Sequence, residues 1–128
     1  MKFEKNPDAP FSYLLEMAGD EIEKVRSELP EPLRLALSEV AMVLEEFPSP
    51  EHEADGVESD QLGLFEGSDA TDSASPQMPR IVLWLGNLWD LAEAEEDAYR
   101  EEVRVTFLHE LGHYLGLDEG DLTERGLE

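Results

Sequence analysis

The stretch HELGHYLGLDEGDL, His109 to Leu122, holds two of the chain's three histidines four residues apart, with a glutamate directly after the first. If it is helical, its geometry dictates what surrounds it. At about 100° per residue, His113 lies about 40° around the helix from His109 and one turn further along. The two imidazoles then project side by side and are able to share one cation. Glu110 falls about 60° from His113, so its carboxylate reaches the edge of that cation without having to ligate it. This is the mechanical content of an HExxH pattern: two ligands and a neighbouring base on one face.

Immediately upstream, a long helix is expected from about Ala92 to Gly116. Its first turns carry Glu93, Glu95, Glu96 and Asp97, which suits the positive end of a helix dipole. From Val103 to Gly116, Arg104 is the one charged side chain besides the motif, while Val103, Phe107, Leu108, Leu111 and Leu115 point in most directions. A helix apolar nearly all round is buried. Burying the Glu110 anion without a partner is costly, and a divalent metal supplies that partner. Gly112 has no side chain and would let another element approach closely.

Downstream, Gly116 follows His113 by three residues and Glu119 follows Gly116 by three. A glycine there suits the left-handed conformation that ends a helix and turns the chain back. Glu119 is then placed to swing round as a third ligand, with Asp118 and Asp121 as alternatives. A helix cap followed by an acidic tail would explain Gly116 alone. It does not explain two aligned histidines beside a buried Glu110.

Before this helix, Pro79 and Arg80 open IVLWLG, Ile81 to Gly86. Five consecutive apolar residues bounded by Pro and Gly predict a strand covered on both faces. Asn87 to Asp90 are expected to turn the chain. Near the N-terminus, Asp8 and Pro10 look like a helix start. Phe11, Leu14, Leu15, Ala18, Ile22, Val25 and Leu29 then recur at steps of three and four, with Glu16, Glu21, Glu23, Lys24 and Arg26 on the other face. Pro30 ends this amphipathic helix. Leu33 to Phe47 is ambiguous, fitting helical spacing but also holding a short strand-like run, Val40 to Leu44. From 49 to 79 the composition turns to Ser, Asp, Glu, Gly and Pro. Acidic, mobile loops are expected, with an ordered island near 62–67, LGLFEG, and a solvated loop histidine at His52.

A chain of 128 residues is expected to form a single domain, 1–128. It has no cysteine, which excludes disulfides and thiol chemistry and leaves imidazole and carboxylate to hold any metal. Nine basic residues face 32 acidic ones, a net charge of −23. Charge of that sign repels phosphate, so neither nucleic acid nor an anionic membrane is an expected partner. Salt adaptation and plain acidic drift account for it equally well. The N-terminal ten residues are polar, with no signal peptide visible, and no run approaches the roughly 20 apolar residues of a membrane span. A cytoplasmic location is expected.

HELGHYLGLDEGDL, together with PRIVLWLGNL before it, EPLRLALSEVAMVLEEFP and the isolated LGLFEG, resembles the small bacterial zincin-like metallopeptidases, or minimal zincins. The resemblance is specific at the C-terminal end and vaguer elsewhere. It implies an α+β fold, a small mixed sheet of two to three strands packed on an N-terminal helix and a buried active-site helix. It resolves the ambiguous region as a short helix and then a strand near Val40 to Glu45. It implies zinc on His109 and His113 with an acidic third ligand. Asp or His is associated with that third position, whereas this chain has Glu119, with Asp118 adjacent. No methionine follows Met78, so the Met-turn of metzincins is missing.

The function expected from these features is zinc-dependent hydrolysis of a peptide or protein substrate, with Glu110 as the base that activates zinc-bound water. The peptide would lie along the sheet edge as an added strand. Trp84, Trp89 and Tyr114 are candidates for lining the cleft, and Tyr99 for assisting the transition state. Two other readings stand beside this one. Zinc-dependent endoribonucleases space their ligands as His109, His113 and Glu119 are spaced, but their third ligand is histidine and the charge is wrong for RNA. The other is a non-catalytic acidic binding or mimic protein with a structural metal site.

Overall fold

The computed structural model describes residues 9–67 and 78–116. Its centre is the predicted apolar strand, β3 (Arg80–Trp84), in which Ile81 to Trp84 are all buried. A strand with no solvent face needs neighbours on both edges and cover on both faces. β1 (Ala41–Glu45) pairs with it in parallel, Val43 opposite Val82. β2 (Gly63–Glu66) pairs antiparallel on the other edge, Phe65 opposite Ile81. The order is β1-β3-β2, a mixed three-stranded sheet. The fold is α+β, with the long helices packed on one face of the sheet.

Alternation along β3 assigns the two faces. Ile81 and Leu83 join the main core with residues of the long helices. Trp84 goes the other way, where its indole lies edge-on to His52, ring centroids 5.3 Å apart, and donates to Glu45 Oε1 at 3.1 Å. His52 belongs to α3 (Pro50–Ala54), a single turn capped by Ser49, whose hydroxyl accepts from the His52 amide. The region from 49 to 79 is therefore not loop throughout. It contributes α3 and β2, and the LGLFEG island is the edge strand.

His52 also departs from expectation. Its side chain is 16% exposed and bonds Glu66 through Nε2 at 2.9 Å, and Arg80 Nε donates to the same carboxylate at 2.7 Å. Instead of a solvated histidine, it is the clasp that fastens α3 to β2.

α1 (Phe11–Glu28) is the amphipathic helix anticipated, burying Leu14, Met17, Ala18, Ile22 and Val25. It is capped by Pro10 without a side-chain bond; Asp8 lies outside the described residues. Glu21, assigned above to the outer face, is 5% exposed and bonds Arg100 at 3.1 Å. An ion pair with a neighbouring helix is what allows a carboxylate there. The ambiguous region is α2 (Glu31–Leu37) followed by β1, helix then strand, as the resemblance implied.

The connection after β3 corrects the expected turn. Leu85–Leu91 is a helix, α4, with Leu85 to Trp89 all buried, so Asn87 to Asp90 are helical. Gly86 makes this possible, since a Cβ on it would lie 2.7 Å from the Glu46 carbonyl and 2.6 Å from the Phe47 ring. The real corner comes at Glu93 and Ala94, both left-handed (φ 57° and 60°). α5 (Glu96–Tyr114) therefore starts four residues later than expected. It runs between the sheet and α1, touching β2, β3, α1 and α4. Tyr99 Oη donates to the Leu14 carbonyl and Tyr13 Oη to Glu96, each at 2.8 Å, fixing α1 to α5. Among the described residues no helix is long and apolar enough to cross a membrane.

Candidate metal centre

The middle of α5 is mostly buried, with Val103, Thr106, Phe107, Leu108, Glu110, Leu111 and Gly112 inside. That packing fixes the rotation of its last two turns and presents His109, Glu110 and His113 together. One ligand atom from each lies within 4.8 Å of the others. The imidazole centroids are 4.7 Å apart and the rings nearly perpendicular, at 79°. Both helical-wheel expectations hold: the rings face one space, and the glutamate borders it.

Glu110 is 9% exposed. Burial pushes its carboxyl above the ordinary glutamate range; the charge of His113 and a hydrogen bond from the Phe65 amide pull the other way without cancelling it. A buried carboxylate beside two imidazoles, with its own anionic form disfavoured, is a donor set that suits a divalent cation, and nitrogen with oxygen ligation suits zinc. Gly116 has φ 77° and its amide bonds the His113 carbonyl at 3.0 Å, so the helix does end on a left-handed glycine. Asp118, Glu119 and Asp121 lie outside the described residues.

A family model for zincin-like metallopeptidases matches residues 37–127, from the end of α2 through the histidine motif. The chain belongs to the zincin-like metallopeptidase family. No curated protein matches it significantly.

In this zincin-like chain the edge strand completes the site. β2 turns the Leu62 carbonyl toward β3, where it accepts from the Trp84 amide at 2.9 Å, so Gly63 and Phe65 turn their backbone groups outward. The outward Phe65 amide is the one that reaches Glu110, and the Gly63 carbonyl accepts from Gln61 Nε2 at 3.0 Å. Two cavities of about 440 Å³ each open along this edge. One is bounded by Leu64, Phe65, Glu110 and His113, the other by Leu62, Glu102, Val105, Thr106 and His109.

The aromatic residues weighed as candidates for the cleft belong to the core, the more usual place for such side chains. Trp84 is fully buried; Trp89 is 5% exposed and meets Tyr99 edge-on with centroids 5.2 Å apart. Tyr99 is fully buried in the seam between α5 and α1, its hydroxyl donated to the Leu14 carbonyl, and burial raises the phenol well above its usual range. Tyr114 is 6% exposed and packs on Phe65. Two residues along this edge that spacing did not single out are Phe65, which contributes through its backbone and so leaves no side-chain signature, and Glu102, which lines the second cavity. Glu102 had a signal: seven residues before His109, it falls within about 20° of the same helix face.

Proposed function

We propose that this zincin-like chain is a zinc-dependent peptide-bond hydrolase. The observation that carries the reading is the convergence of His109, His113 and a nearly buried Glu110 beside the outer edge of β2, with which no described strand pairs. His109 and His113 would hold the zinc through ring nitrogens, with Glu119 as the third ligand and Asp118 or Asp121 as substitutes. When bound, zinc supplies Lewis acidity, polarising a carbonyl and making water a nucleophile near neutral pH.

The chain's own residues do the rest. Glu110 accepts a proton from the attacking water as its oxygen bonds to the carbonyl carbon. It then delivers that proton to the amine nitrogen as the carbon–nitrogen bond breaks, so one carboxyl serves as base and then acid. The Phe65 amide fixes one carboxylate oxygen and ties the base to the substrate-binding edge. An extended peptide adding to the outer edge of β2 would bring its carbonyl to this spot.

The test has two parts. Metal analysis of the purified chain is expected to give about one zinc per molecule, lost in His109→Ala, in keeping with a single three-ligand site. Glu110→Gln is expected to retain zinc and lose cleavage by at least about 100-fold, the usual contribution of a general base. Unchanged cleavage by the zinc-loaded variant refutes the role given to Glu110.

A further inference from the structure

The two cavities flanking the β2 edge differ in chemistry. The one beside Glu110 and His113 carries no charged side chain beyond that pair. Glu110 borders the other as well, but that cavity runs from His109 back along α5, with Leu62, Val105 and Thr106 as its walls, and adds a second acid, Glu102. Two nearby acids of α5 are spoken for: Glu96 bonds Arg100 and Glu101 bonds Arg104. No described residue pairs with Glu102. It is half-buried, and a carboxylate drawn partly out of water with no partner gains from a cationic one.

We infer that Glu102 makes this a basic-side-chain subsite, selecting substrates with arginine or lysine beside the bond that is cut. The inference rests on the peptidase reading and names its substrate class. Seven residues of helix put Glu102 about 10 Å along the axis from His109. Only a long side chain spans that. Arginine and lysine do so with an apolar stem, which lies on Val105 and Leu62, and a charged head that meets the carboxylate. An aspartate or glutamate side chain entering the same cavity meets a like charge. The net charge of −23 draws basic peptides to the molecule as a whole, but places no cation at a given position; Glu102 does that.

Two measurements on the full zinc-loaded chain test this. In the first, peptides carry Arg, Leu or Glu at each position flanking the scissile bond. Arginine at one of these positions is expected to raise kcat/KM over leucine by about 10-fold, the worth of one charge-assisted hydrogen bond. Glu102→Gln removes that ratio and Glu102→Arg turns the preference toward glutamate. Glu31→Gln, which removes the same charge from exposed α2, leaves the ratio unchanged. A preference that is absent, or that survives Glu102→Gln, overturns the inference while leaving the peptidase reading intact. In the second, Glu110→Gln chain is titrated with the same peptides by calorimetry, so that binding is read without turnover. Tighter binding of the arginine peptide that disappears in Glu102→Gln/Glu110→Gln supports the subsite even if no peptide is cut by the wild type, in which case only the peptidase reading fails. Equal affinity for the arginine and glutamate peptides, or no binding at all, overturns it.

Discussion

Gly63 is the residue on which the contact between β2 and α5 turns. A Cβ added there would lie 2.8 Å from Thr106 Cγ2, with Leu83 Cδ2 and the Val82 carbonyl each at 3.1 Å. The backbone carbonyl has no freedom to move aside, so β2 itself must lift. Gly63→Ala is expected to cost about 1–3 kcal/mol, the range for overpacking a close contact, read from urea unfolding midpoints. Adding Thr106→Ser, which deletes the clashing methyl, is expected to restore much of it. Because the lifted strand takes the Phe65 amide away from Glu110, cleavage by Gly63→Ala should fall further than the folded fraction does.

At the scale of elements, the clasp between α3 and β2 has a calculable pH response. Burial raises the Glu66 carboxyl, but the Arg80 and His52 hydrogen bonds together outweigh it and leave it below the ordinary glutamate range. A group whose folded pKa is depressed adds stability above its unfolded pKa and loses it as pH falls through the folded one. The stability gap between wild type and Glu66→Gln is therefore expected to be constant near neutrality and to close as pH drops below the ordinary carboxylate range. Denaturant titrations at several pH values check this; a gap that widens on acidification contradicts the assignment.

The elements also show where sequence reading works. α1, β3 and the histidine helix were legible because each buries a face or a core with a clear period, and their spacing reports it. α4 was not, because Leu85 to Trp89 are buried on every side and no polar face marks a helix. Gly86 and Asn87 add residues that in isolation signal a turn. α3 was missed although Ser49-Pro50 is a cap followed by a first-turn proline; its acidic composition obscured that signal. At the site, one helix face is a local property, so the metal pair and Glu110 came from spacing alone. The Phe65 amide comes from β2 and the Leu62 wall near Glu102 from the residue just before it, about 40 residues upstream of α5's half of the site, in a chain whose register spacing cannot reveal. The core placement of Trp84, Trp89, Tyr99 and Tyr114 follows from tertiary packing in the same way.

For the molecule as a whole, −23 charges on 128 residues oppose compaction through self-repulsion. The ion pairs that do form, such as Arg100 with Glu21 and Glu96, neutralise a small part of it. Screening shortens the range of that repulsion to about 3 Å at 1 M salt. Raising sodium chloride from low ionic strength to 1 M is thus expected to stabilise the fold by about 1 kcal/mol, or about 4 °C in thermal midpoint. Calorimetry of the metal-free chain reads this without interference from zinc affinity. A midpoint that falls with salt would show that the attractive pairs outweigh the surplus.

The left-handed corner at Glu93 and Ala94 joins α4 to α5 with two residues that carry side chains in a conformation costing about 1–2 kcal/mol each. A looser link with glycines would avoid that strain but would leave slack between the central strand and the helix that carries the histidines. With no slack, β3, α4 and α5 breathe as one cooperative unit, and amide hydrogens along Ile81–Leu83 and Phe107–Leu111 are set to exchange together, through the same opening event.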